Sequence, residues 1–317
     1  MTTFHPDLHP TARFIPRFSF SPRLVRFINA LARVRGVPTP PQLPDVGIED
    51  VFVPGTGQAA PIRVRLYRPK NTRGAAPAML WLHGGGFLFG SPEFDEHNNI
   101  ATVRELGITV AAVDYRLAPQ HPFPAALEDA YAALTWLSTQ TPAIAKDRIA
   151  IGGSSAGGGL AAALVLMAAD RGEPPVAFQL LLYPMLDDRT VLRTDIDASH
   201  LRMWDVKSNR HGWTAYLAQE PGSSGINPYA APARRESLAG LPPAWIGTGS
   251  FDLFCDENVA YARRLKEARV ACALRVVPGA YHGFDAISRN APVSREFRSS
   301  YMQALRRALF AADRSES

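Results

Sequence analysis

A chain of 317 residues, 46% of them hydrophobic, can bury one substantial core, and no apolar run in it approaches the length of a membrane span. The net charge of +5 is carried mostly by arginines spread along the chain, with no long basic run interleaved with aromatics, which argues against nucleic-acid binding. Two cysteines make no disulfide framework, no paired Cys or His spacing suggests a metal site, and residues 1–10 lack the apolar centre of a signal peptide. A reduced, cytoplasmic protein without metal or cofactor is expected.

In chain order, Leu24, Val25, Phe27, Ile28, Leu31 and Val34 fall at helical spacing and predict a helix over residues 14–35, ended by the prolines of 38–44. Two strands are expected at 48–53 and 62–67, joined by Pro54-Gly55-Thr56-Gly57. Strand and helix then alternate. Strands are expected at 79–82, 109–113, 149–151, 178–182, 245–248 and 273–277, and helices at 93–106, 125–137, 158–169, 257–268 and 293–310. This alternation predicts an α/β fold with a mostly parallel sheet and helices on both faces. Residues 187–229 interrupt it and are too long for an ordinary connection. That insertion holds Leu201, Met203, Trp204, Trp213, Tyr216 and Leu217, which suit either a helix pair covering a core edge or a lid over a site.

The chemistry concentrates at strand ends. After the strand at 79–82 comes His83-Gly84-Gly85-Gly86-Phe87. Consecutive glycines there let several backbone N–H groups turn toward one point, as a tetrahedral oxyanion requires. After the strand at 149–151 comes Gly152-Gly153-Ser154-Ser155-Ala156-Gly157-Gly158, followed by an Ala/Leu-rich helix. Strand, Gly-x-Ser-x-Gly, helix is a nucleophile elbow, in which the residues two before and two after the serine must be tiny. Gly153 and Gly157 meet that need around Ser155. A second frame, with Gly152 and Ala156 around Ser154, is less favoured because Ala156 is bulkier. Asp252 stands at the end of the strand at 245–248, and His282 follows the last strand, so acid and base come after the serine in the order this layout needs. Asp256 and Glu257 read instead as acids opening a helix, and Asp187 and Asp188 as turn residues.

These stretches resemble the hormone-sensitive-lipase-like family of α/β-hydrolase esterases. The likeness rests on His83 to Gly86, Gly153 to Gly158, Asp252 to Glu257 and Tyr281-His282-Gly283-Phe284, together with Asp114-Tyr115-Arg116-Leu117-Ala118-Pro119 and the run from His121 to Asp129. Two positions depart from the family pattern: Ser154, where Asp or Thr is usual, and Leu253, where Pro is usual. The family fits Ser155 as nucleophile rather than Ser154.

The resemblance implies a helical cap made from residues 1–45 and 187–229 over a catalytic core of 46–186 and 230–317. It implies a Ser155-His282-Asp252 triad and an oxyanion hole from Gly84, Gly85, Gly86 and Ala156. Phe87, Phe89, Trp213, Tyr216 and Phe284 would line an acyl pocket. The expected reaction is hydrolysis of short- to medium-chain esters by water, because the cap is modest and no strongly apolar surface helix is expected. The alternatives are a ligand-binding protein on the same scaffold, or a lipase or amidase using the same site. Stable membrane insertion is not expected. A homodimer, formed through the edge strand near residues 272–277, is suggested by the family likeness.

Overall fold

The computed structural model describes residues 3–57, 59–71, 74–140 and 143–310. Its centre is an eight-stranded sheet: β1 (Val46–Val53), β2 (Ile62–Pro69), β3 (Ala76–Leu82), β4 (Thr109–Val113), β5 (Ile144–Ser154), β6 (Phe178–Leu182), β7 (Ala244–Phe251) and β8 (Cys272–Tyr281). The spatial order is β1-β2-β4-β3-β5-β6-β7-β8. Only the β1–β2 and β2–β4 pairs are antiparallel. From β4 to β8 every pair is parallel, with Leu82 of β3 opposite Gly153 of β5. The C-terminal ends of β3, β5, β7 and β8 therefore open toward one edge of the sheet, where sites of open α/β folds collect.

Helices α1 (His9–Ala12), α2 (Pro22–Arg35), α3 (Glu96–Leu106), α4 (Ala125–Ser138), α5 (Ala156–Arg171), α6 (Val206–Leu217), α7 (Cys255–Glu267), α8 (Phe284–Ile287) and α9 (Pro292–Phe310) complete the chain. Alternate residues of a strand point to opposite faces. Leu80 and Leu82 join α4, α5 and α7 in one core cluster, while Met79 and Trp81 join α3 and α9 in the other. The near-continuous apolar runs of the central strands follow from burial on both faces.

The expected helix over 14–35 begins only at Pro22. The Ser21 side chain accepts the Leu24 N–H and Pro22 takes the first turn, a capping pair that fixes the start. The insertion contains one α-helix, α6, and 3-10 turns rather than a helix pair. Strand β8 runs on through Pro278-Gly279, past the end expected at residue 277. Gly279 keeps its place because its N–H bonds the Ser250 hydroxyl and its carbonyl accepts the His5 N–H.

The N-terminal segment and the insertion pack on each other. Phe20 donates its N–H to Ser208 Oγ, and its ring lies 5.6 Å from Trp204 and 4.9 Å from Phe89. His211 Nδ1 pairs with the Phe20 carbonyl. On its outer face α2 leaves Phe27, Leu31 and Val34 exposed among four arginines.

Candidate active site

Ser155 occupies the turn between β5 and α5 with φ 55° and ψ −121°, a conformation most side chains avoid. The turn is held by Ser155 N–H donating to Leu182 O and by Ser155 O accepting from Gly159 and Met185. A Cβ at Gly153 would collide with the Gly157 carbonyl, and one at Gly157 with the carbonyls of Leu82 and His83. No flexible side chain could yield at either place, so the elbow glycines follow from backbone contact alone.

Three side chains form a line. The Ser155 hydroxyl lies 2.9 Å from His282 Nε2, and His282 Nδ1 lies 2.8 Å from Asp252 Oδ2. With Asp252 ionised, Nδ1–H donates to it and Nε2 is left to accept the serine proton. Asp252 is itself held by the Phe254 N–H on Oδ1, at 2.9 Å. Phe254 and Tyr183 meet the imidazole edge-on, with ring centroids at 5.3 and 4.9 Å. Ser155 and His282 keep only 6% and 7% of their surface exposed.

The glycine loop lies against this line. A Cβ on Gly84 would come within 3.4 Å of Ser155 Cβ. Gly85 and Gly86 have φ of 118° and 62°, which turn the loop back on itself. Among the described residues, the N–H groups of Gly85, Gly86 and Ala156 have no hydrogen-bond acceptor. The Ala156 N–H also belongs to the first turn of α5, where the helix dipole favours negative charge. His83 secures the base of the loop. Its Nδ1–H donates to Gly84 O at 2.7 Å, its ring stacks on Tyr115, and its carbonyl accepts the Tyr115 hydroxyl. Burial lowers the His83 pKa to about 4, so it stays neutral.

The expected pocket aromatics divide. Phe87 stacks on Tyr216 at 3.8 Å beside Trp213, and all three are buried; Phe89 lies against Phe20. Phe284 does not join them. It is wholly buried against Phe297, 4.9 Å away, in the core cluster shared with α9. The left-handed Gly283 at the start of α8 turns the chain there immediately after His282.

Several residues at the site carry no motif in the sequence. The Trp204 ring covers Gly86, and Gly212 of α6 packs on the Gly86 carbonyl, so the insertion touches the glycine loop directly. Tyr183, at φ 37°, donates its hydroxyl to Asp285. Glu257 does open α7, but it is buried and accepts the N–H groups of Leu186 and Asp187 and the Thr190 hydroxyl. Burial holds its pKa well above the usual carboxyl range. Trp204 could be found only through its place in the long insertion, and Tyr183 only through its position just past the end of β6.

A hydrogen-bonded serine, histidine and aspartate beside a glycine loop is an arrangement chemically suited to acyl transfer, and it sits where open α/β sheets carry their sites. The chain matches the alpha/beta hydrolase fold family over residues 79–286. It is 36% identical to esterase LipI of Mycobacterium tuberculosis, covering 86% of each chain. It is also 36% identical to carboxylesterase NlhH of the same organism, covering 89% of each. Among solved structures it resembles a bacterial heroin esterase, with TM-score 0.87, 36% identity and coverage of 97% of this chain and 98% of that one. Esterase LipW from Mycobacterium marinum gives TM-score 0.82 and 34% identity over 97% and 96%. The chain thus belongs to the α/β-hydrolase fold family, within its hormone-sensitive-lipase-like branch of carboxylic ester hydrolases.

Proposed function

We propose that this chain is a serine carboxylesterase acting on short- to medium-chain acyl esters through an acyl-enzyme. The observation that carries the reading is the continuous line from Asp252 through His282 to Ser155, at 2.8 and 2.9 Å, beside the glycine loop. His282 takes the Ser155 proton as Oγ attacks the ester carbonyl, and Asp252 holds the imidazole in the required tautomer and stabilises the imidazolium. The oxyanion accepts N–H bonds from Gly85, Gly86 and Ala156, while Gly84 gives the loop its close approach to the serine. His282 then protonates the leaving alcohol, and water releases the acyl group by the reverse route.

Residues 1–45 and 187–229 act as a cap in this reading, supported by the Phe20, Ser208 and His211 contacts and by Trp204 lying on the glycine loop. The tight enclosure of Ser155 and His282 favours compact acyl groups. A second copy would pair along the outer edge of β8, which among the described residues has a strand neighbour only in β7.

The test is hydrolysis of a p-nitrophenyl ester series from acetate to palmitate by wild type and Ser155→Ala. Cleavage of the shorter esters by wild type, lost in folded Ser155→Ala, is the expected result. Full activity in Ser155→Ala would move the nucleophile to Ser154, and a folded wild type inert on the whole series would favour a binding protein on this scaffold.

A further inference from the structure

The N-terminal segment concentrates charge and apolar surface in a way the rest of the chain does not. Between Leu8 and Pro44 there are six arginines, at 13, 17, 23, 26, 33 and 35, and no aspartate or glutamate, against a net charge of +5 for the whole chain. All six are exposed. Among the described residues none of their guanidinium groups makes an ion pair or hydrogen bond. The nearby acids are engaged elsewhere: Glu93 and Asp114 bond Arg63, and Asp205 caps α6 at Ser208. Burial, and after it the charge of nearby Arg17, lower the Arg202 pKa, so the basic surface continues onto the insertion.

The same segment carries Phe14 at 86% exposure, Phe27 at 65% and Val34 at 84%, with Phe18, Leu31 and Val37 also exposed. At about 100° per residue, Phe27, Leu31 and Val34 fall within roughly 60° of one another on α2. Arg26 and Arg33 flank that stripe on one side and Arg35 on the other. Only Val25 of α2 is buried, and the helix is tied to the body by Asn29 donating to the Leu88 carbonyl just beyond the glycine loop.

We infer that this face docks on an anionic lipid surface, with the apolar stripe entering the headgroup boundary and the arginines pairing with lipid phosphates. A helix with an apolar stripe bordered by arginines is built to lie in such an interface. A second copy of the chain is a poorer occupant, because its own six arginines would face these six across the contact. A purely polyanionic partner would leave the phenylalanines and Val34 without a role. Docking by α2 brings the glycine loop and Ser155 close to the lipid, where sparingly soluble esters gather. The orientation is peripheral, since no helix among the described residues is long and apolar enough to cross a membrane.

The experiment is co-sedimentation of the full chain with vesicles of phosphatidylcholine alone or mixed with phosphatidylglycerol, at low and high salt. Ser155→Ala is run alongside, so that loss of docking and loss of the catalytic reading are seen separately. Wild type and Ser155→Ala should both bind the mixed vesicles, bind the neutral ones weakly, and be released by salt. Phe27→Ser with Val34→Ser, and separately Arg23, Arg26, Arg33 and Arg35→Gln, should each weaken partition by roughly tenfold or more. These side chains are exposed, and an unchanged thermal midpoint verifies that both variants fold. Absence of binding to the mixed vesicles overturns the inference. So does partition unaffected by Phe27→Ser with Val34→Ser, which leaves only a charge patch. A dimer dissolved by that same pair, without vesicle binding, assigns the face to self-association and overturns it as well.

Discussion

Asp95 offers a quantitative test of how the ground beneath the site is organised. Its carboxylate accepts the Trp81 indole N–H at 2.8 Å, and Asp285, which holds the Tyr183 hydroxyl, adds like-charge repulsion. Burial is the leading cause of a pKa raised from 3.8 to about 6. An acid whose folded pKa is raised keeps a proton that the unfolded chain has already released, so the folded state binds more protons between about pH 4 and 6. Stability must then fall as pH rises through that window, and the raised value corresponds to about 3 kcal/mol lost by neutral pH. Asp95 retains some solvent contact, which makes this an upper bound. Asp95→Asn removes the charge and leaves an amide oxygen for Trp81. Denaturant unfolding at pH 4 and pH 7.5 should show the variant matching wild type at the acid end and exceeding it by up to about 3 kcal/mol at the neutral end. A difference that does not change with pH, or a variant less stable at pH 7.5, would refute the reasoning, because the carboxylate would then be ionised and favourably held.

Other outcomes follow from contacts at the site. Glu257→Ala strands two backbone N–H groups and the Thr190 hydroxyl in the interior, at about 1–3 kcal/mol for each unpaired group. Denaturant unfolding should show a loss of roughly 3–5 kcal/mol, largely restored in Glu257→Gln; a loss under about 1 kcal/mol would mean that water replaces the carboxylate. Gly157→Ala forces a methyl group into two backbone carbonyls, and esterase activity should drop by about a hundredfold or more in whatever protein folds. Tyr183→Phe removes the hydroxyl bonded to Asp285 but keeps the ring on His282. A fall of roughly fivefold in kcat with KM unchanged is expected; a change in KM alone would show that Tyr183 serves substrate binding instead.

The sequence was most legible where burial alone decides structure. Strands β4 and β6 have the bounds expected from their apolar runs, because both faces are covered and the run ends where the covering ends. Where pairing or capping decides, the reading drifted: β8 continues through a proline and a glycine because Ser250 and His5 supply partners from distant parts of the chain. The elbow and glycine loop were visible because their constraint is local, a matter of which residues can approach backbone within a few positions. Ser155, His282 and Asp252 could be set in chain order, yet only the fold brings 155, 252 and 282 within hydrogen-bond reach.

The aromatics mark the other limit. An apolar ring looks the same in sequence whether it lines a cavity or fills a core. Phe284, one residue past the Gly283 turn, went into the core, whereas Trp204, with no motif around it, came to rest on Gly86. The same ambiguity applies to α2: helical spacing of its apolar residues predicts a helix but not which way the stripe faces. With Val25 its sole buried residue, the stripe of Phe27, Leu31 and Val34 faces outward, and the arginines beside it give that face a chemistry of its own.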